Sequence, residues 1–316
     1  MEHHNLAAQQ ETVGKAAKEP CAEAAESATA NLRTPSPMYF FFYEKIQPLQ
    51  AELVKRITEA VPVEKIFLLG SSFGENRTET LFSGSAPTAR EVTRCFLLVL
   101  VTKAQKEKLT QLEEKFETVC APLLAITVIV LHTEQFYDWL WERHPFAYTV
   151  QKLGIQLYST ITNQQECRPL SKDAEAVKKD QESAYAKGMN KVQEFLAGAE
   201  LYTVRKQYKL AVFMLHQATE QALLTLLKVT TGLRMNTHNL DKLIRCGSMV
   251  SYRLQHIFSR KDEREKHLFK LLQAAYTDAR YNDDYGIHFG EVESLTKQVN
   301  LLKEEVVSLC KGTFAK

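Results

Sequence analysis

The chain of 316 residues has no large excess of charge of either sign: 40 Lys and Arg stand against 38 Asp and Glu, for a formal net charge of +2. That balance excludes a globally basic nucleic-acid coat and an acidic tail protein. Long hydrophobic runs are missing as well. The longest, residues 95–101 and the Thr-interrupted 121–131, fall well short of the ~18–20 residues that a membrane-spanning helix needs, so no transmembrane helix and no membrane partner are expected. The opening stretch MEHHNLAAQQETVGK lacks the basic-then-apolar pattern of a secretory signal. The six cysteines (Cys21, Cys95, Cys120, Cys167, Cys246 and Cys310) lie far apart with no Cys-x-x-Cys pair. This disfavours a zinc knuckle or a disulfide framework and predicts a reducing, cytoplasmic setting.

Apolar residues make up 45% of the chain and aromatics 9%, enough to build a core. At about 100–200 residues per domain the length suggests two domains. The charge is unevenly spread: residues 1–37 carry a net −2, residues 38–173 a net −1 and residues 174–316 a net +5. Any attraction for anionic partners therefore belongs to the last 143 residues. Residues 1–37 hold nine Ala, no aromatic residue and three Pro. Such a segment cannot bury a helix face, and a disordered or weakly helical tail is expected.

Order is expected from Met38. Ile46, Leu49, Leu53, Ile57 and Ala60 recur at helical spacing until Pro62. The apolar run starting at Lys65 then breaks at Gly70-Ser71-Ser72, which reads as a buried strand entering a glycine turn. Two further apolar runs, at 95–101 and 126–131, and a shorter one at 155–159 read as strands, with helices at 103–119 and 135–143 between them. Strands interleaved with helices predict an α/β domain over residues 38–165. After the polar stretch 163–173 strands disappear. Helical stripes over 184–202, 208–229, 240–246, 267–280 and 292–309, with Gly232, Gly247, Gly286 and Gly290 between them, predict an antiparallel helical bundle over residues 174–316.

Three motifs in the second half carry a resemblance. They are Phe213-Met-Leu-His-Gln-Ala-Thr-Glu-Gln-Ala-Leu-Leu, then Thr237-His-Asn-Leu-Asp-Lys-Leu, then Ala279-Arg-Tyr-Asn-Asp. In this order they resemble a HEPN domain, the helical "higher eukaryotes and prokaryotes nucleotide-binding" module. Residues 60–160 resemble a minimal nucleotidyltransferase, the usual neighbour of that module. The matches are Ile66-Phe-Leu-Leu-Gly-Ser-Ser as its strand–turn and the stretch from Pro145 to Tyr158 as its last strand. The resemblance implies a fold of α+β followed by α, nucleotide or RNA as partner, and a homodimer formed through the bundle.

Nucleotidyl transfer needs two carboxylates that hold Mg²⁺ beside the phosphates. In the resembled family these are an Asp-x-Asp just before the hydrophobic strand. Here Thr93-Arg94-Cys95-Phe96 occupies that place. The expectation is a degenerate domain with no metal, no cofactor and no catalytic residues, with Glu75, Glu79 and Glu91 in the intervening loop as the only substitutes. Gly70, Ser71 and Ser72 are candidate phosphate contacts through exposed backbone N–H groups.

Ribonuclease members of the HEPN family use an Arg and a His separated by four to six residues. Here Arg280 and His288 have seven residues between them. Non-catalytic nucleotide (or RNA) binding is therefore expected, with Arg280 for phosphate, Tyr281 for base stacking, and His288, His216 and Glu220 as further candidates. A toxin-like ribonuclease and a ligand-free interaction scaffold are the alternatives. Arg280 also has a structural reading, as a partner of Asp283 or Asp284 with Tyr281 packed in the bundle. His216 and Glu220, at i and i+4, form a polar notch. His238 reads as a helix-start residue before an Asn239 cap, the run 259–267 as a solvated segment, and Trp139 and Trp141 as packing residues.

Overall fold

The computed structural model describes residues 37–73, 77–82, 92–160, 174–282 and 284–314. The expected tail, the stretch 163–173, Glu75, Glu91 and Asp283 lie outside the described residues. The chain divides into Met1–Phe40 and Phe41–Lys316. Of the first unit only the helical residues 37–40 are described.

The helix α1 (Pro37–Ala60) ends just ahead of Pro62, as expected where a proline restricts the residue before it. Five strands follow: β1 (Lys65–Phe73), β2 (Arg77–Thr80), β3 (Val92–Val101), β4 (Ala125–His132) and β5 (Ile155–Ser159). Between them stand α2 (Leu109–Cys120), α3 (Thr133–Trp141) and α4 (Pro145–Leu153). The sheet order is β2-β1-β3-β4, with β5 paired to β1. The first half of β1 pairs with β5 and the second half with β2, all antiparallel, while β3 and β4 run parallel.

The sheet corrects three readings. The expected turn at Gly70-Ser71-Ser72 is absent, because β1 runs on to Phe73 and pairs with β2 on one side and β3 on the other. Gly70 has φ +154, and a Cβ there would overlap the Glu79 carbonyl and Thr80. The glycine serves a close strand approach and an irregularity in the ladder, not a chain reversal. Residues 77–80, read as loop, form β2, which places Glu79 buried in the sheet. The stretch from Pro145, read as one strand, is helix α4 and then β5. Pro145 occupies the first helical turn, Phe146, Ala147 and Val150 share its buried face, and Gly154 ends it.

Side chains alternate across the strands, and both faces are covered. Ile66, Leu68, Leu97, Val99 and Val128 pack with Leu53 and Ile57 of α1 and Phe116 of α2. Phe67, Leu69, Phe96, Leu98 and Ile129 face the other way, into a core that includes Phe136, Phe146 and the interior of the bundle. Burial on both faces is why these strands read as continuous apolar runs. Each fully buried Leu or Phe contributes about 1.5–3 kcal/mol. Trp139 packs against this core and stacks on His144 at 4.3 Å, but Trp141 is 59% exposed and is not a packing residue.

The bundle comprises α5 (Ala174–Val204), α6 (Tyr208–Thr230), α7 (Leu240–Gly247), α8 (Arg253–Ile257), α9 (Glu263–Tyr281) and α10 (Phe289–Phe314). Among the described helices α6 alone is long and apolar enough to cross a membrane by length and composition. Here it is the central helix, packed against α5, α7, α9 and α10. Gly232, at φ +80, ends it in the left-handed conformation that glycine tolerates. Asn239 caps α7 by accepting from the Lys242 amide (3.1 Å), as expected, and Asp262 caps α9 through the Glu265 amide (2.8 Å).

The bundle also seals the edge of the sheet. The β4 amides of Val128 and Val130 donate to the carboxylates of Glu117 and Glu113 on α2, each at 3.2 Å. Lys242 of α7 donates to the Val128 carbonyl and to Glu117 Oε1 (3.0 Å). Arg245 donates to Glu117 Oε2 (2.7 Å). An open edge strand invites further pairing, and here the Val128 and Val130 groups at its middle are already taken.

Candidate functional site

His216 and Glu220 lie one turn apart on the face of α6 that meets α9, and both are buried. His216 Nδ1 donates to the Leu272 carbonyl of α9 (2.9 Å), and that carbonyl can only accept, so the proton sits on Nδ1. Its Nε2 faces Glu220 Oε2 at 3.5 Å, the long limit of a polar contact. The same carboxylate oxygen meets His238 Nδ1 at 2.9 Å. Burial by itself pushes the Glu220 carboxyl up. The two histidines outweigh it through hydrogen bonding and charge, and hold the group below the ordinary carboxylate value.

His238 thus has a second task beside its place before the α7 cap. Its ring stacks on Tyr276 of α9 with centroids 4.0 Å apart and planes 15° from parallel. Gln273 fixes this junction: its Oε1 accepts from the Leu240 amide (2.8 Å) and its Nε2 donates to the His238 carbonyl (3.4 Å). One turn beyond Tyr276, Arg280 donates through Nε (2.8 Å) and Nη2 to the Tyr276 carbonyl. The Arg280 guanidinium lies 4.6 Å from the Tyr276 ring, 5.1 Å from Tyr281 and 5.3 Å from Phe213 of α6. Among the described residues no carboxylate is within ion-pair distance of it, Asp284 included, and Tyr281 is 79% exposed. Neither half of the structural reading of this pair is met among the described residues.

The structure therefore joins His216, Glu220, Arg280 and Tyr281 in one assembly and adds His238, Tyr276 and Gln273 to it. His288 stands apart. It is exposed at the start of α10, where its amide donates to Glu291 Oε2 (2.7 Å), and among the described residues no hydrogen bond, ion pair or ring contact joins it to Arg280. Gly70, Ser71 and Ser72 also stand apart. Ser71 Oγ is bonded to Cys95 Sγ (3.2 Å) and Ser72 Oγ to Thr78 Oγ1 (3.1 Å), both buried in the sheet. With the turn absent, this segment presents no phosphate cradle. Among the described residues no group of three or more His, Cys, Asp or Glu is placed to hold a metal ion.

The family model of the HEPN domain matches residues 187–310. This part of the chain is a HEPN domain. It spans most of α5 and the helices up to α10, and so contains the whole Arg280 assembly. A search of curated proteins returns no match. Among solved structures, the chain is similar to the crystal structure of a nucleotidyltransferase-like protein from Exiguobacterium sibiricum 255-15. That likeness has 11% identity and a TM-score of 0.22, and covers 84% of this chain and 77% of that one. Agreement that loose carries no argument, so the region ahead of the HEPN domain is described by its own mixed sheet. The HEPN domain relates the chain in general terms to nucleotides or RNA.

Proposed function

We propose that the HEPN domain binds a nucleotide, free or within an RNA strand, at Arg280 and Tyr281 without chemical turnover. The observation that carries the reading is the Arg280 guanidinium, exposed, bounded by three aromatic rings and, among the described residues, paired with no carboxylate. The Tyr276 carbonyl engages Nε and Nη2, which leaves the remaining N–H donors for a planar, charge-assisted contact with phosphate. Tyr281 offers an open ring for a base to stack on. The buried His216 and Glu220 and the half-exposed His238 stand behind Tyr276. Absence of turnover is supported by the seven residues between Arg280 and His288, where the ribonuclease members of the family have four to six. It is supported also by the lack of an acid in Thr93-Arg94-Cys95-Phe96, the stretch just before the hydrophobic strand where the resembled nucleotidyltransferases carry theirs.

Titration calorimetry with ATP, GTP and a short RNA tests the reading. Arg280→Ala is expected to weaken the best ligand roughly tenfold to hundredfold. Unchanged affinity in a folded variant removes the site. Cleavage of RNA by the wild type, lost in His288→Ala, replaces binding with the ribonuclease reading.

A further inference from the structure

A second cluster of guanidinium groups lies between the sheet and the bundle. Arg94 on β3, Arg245 on α7 and Arg260 after α8 line one pocket of about 200 Å³, together with Asp241, Ile244 and Phe258. The charges there are not balanced. Asp241 is shared, with Oδ2 accepting from Arg245 (2.9 Å) and Oδ1 from Arg260 (2.5 Å). The other nitrogen of Arg245 used in an ion pair goes to Glu117. Arg94 has no carboxylate within ion-pair distance among the described residues. Among the described residues its Nη1 reaches only the Ile126 carbonyl and Thr127 Oγ1, both at a long 3.3 Å. A half-buried guanidinium is thus held beside two others with weak, neutral acceptors. Burial first, and then the neighbouring Arg245 charge, make it easier to deprotonate than an ordinary Arg.

We infer that this pocket is a binding site for a compact oxyanion, a phosphate or the phosphoryl end of a larger molecule. Its positive lining sets the sign of the ligand. Its size sets the class: the space equals several waters at about 30 Å³ each, yet lies below the roughly 300–1,000 Å³ of pockets that enclose a whole drug-sized ligand. The planar donors left over on Arg94 and Arg260 suit tetrahedral oxyanion geometry. The bound charge would also offset the Arg94–Arg245 repulsion. The site is separate from Arg280 and draws its residues from both the sheet and the bundle.

The test uses the full chain at constant ionic strength, with inorganic phosphate, pyrophosphate, tripolyphosphate and ATP followed by calorimetry and thermal melting. Pyrophosphate is expected to bind saturably and raise the melting temperature, because it binds only the folded chain. Arg94→Met is expected to melt no lower than wild type without ligand, since a repulsive charge is gone, and to bind pyrophosphate at least about tenfold more weakly. Arg260→Ala, on an exposed segment, is expected to weaken it several-fold and serves if Arg94→Met does not fold. In an Arg280→Ala background the Arg94 and Arg260 substitutions should cause the same losses of pyrophosphate affinity, so the two sites fail or stand independently. Tighter binding of ATP than of tripolyphosphate assigns a nucleotide as the source of the phosphoryl group, and equal binding assigns the free anion. No saturable binding of any of the four, or equal affinity in the Arg94 and Arg260 variants, overturns the site.

Discussion

The edge of the sheet and the Arg280 platform are both charged, and they are built on opposite rules. At the sheet edge Lys242 and Arg245 each meet carboxylates, and those carboxylates also take up the amides of β4. Burial pushes the Glu117 carboxyl up and the Lys242 ammonium down, but their opposite charges outweigh it, so Glu117 titrates below and Lys242 above its ordinary value. At Arg280 the cation meets rings and a backbone carbonyl instead. A compensated buried network holds the fold and has nothing left to offer a ligand. An exposed, uncompensated cation adds little to the fold and keeps its donors for recognition.

The contrast can be broken from either side. The largest effect is expected from Lys242→Met, which leaves Glu113 and Glu117 facing each other at a buried edge. Loss of one partner of a buried pair costs about 3–5 kcal/mol, and urea unfolding should show it as a lower midpoint with unchanged slope. Arg280→Ala is the mirror case. Its unfolding free energy should stay within about 0.5 kcal/mol of wild type, while nucleotide affinity falls by roughly 1.5–3 kcal/mol. Arg280→Lys should recover only part of that affinity, because the planar fork is lost.

Glu220→Gln sharpens the comparison through pH. The folded state depresses the Glu220 carboxyl below its ordinary 4.5. Its stabilising contribution is therefore fully present above pH 4.5 and is lost as pH falls through the lower folded value. The variant should be less stable than wild type by about 1 kcal/mol near neutrality, and the difference should shrink in denaturation curves taken below pH 4.5. The smallest effect belongs to His288→Ala, expected to shift nucleotide affinity by less than about twofold, since an exposed side chain outside the Arg280 assembly contributes little. A large loss there would show that ligand spans both residues and would erase the distinction between a platform and a reacting pair.

Much of the helical architecture was legible from periodicity. The stripes at 208–229 and 240–246 fall within a residue of α6 and α7, since burial of one face imposes helical spacing locally. The strands β1, β3 and β4 were legible as apolar runs for the opposite reason, burial on both faces. The polar β2 and the short α8 carried neither signal. Gly70 was misread because a glycine that permits a close strand approach looks the same in sequence as one that permits a turn. In the site, His216 and Glu220 were legible as i and i+4 neighbours. His238 and Tyr276 were not, although both residues sit in or beside the quoted motifs, because their stacking is made between segments that are distant in sequence.

What the sequence determined by itself is therefore local: helix spacing, apolar runs, the Asn239 cap, and the lack of an acid in Thr93-Arg94-Cys95-Phe96. Such features follow from fixed backbone geometry over a few residues. The tertiary structure alone decided that one sheet face would share its core with the bundle. It decided too that Lys242 and Arg245 would find carboxylates while, among the described residues, Arg94 and Arg280 would not. Whether a charge is compensated depends on which distant segments are brought within a few ångströms of it, and packing settles that, not spacing.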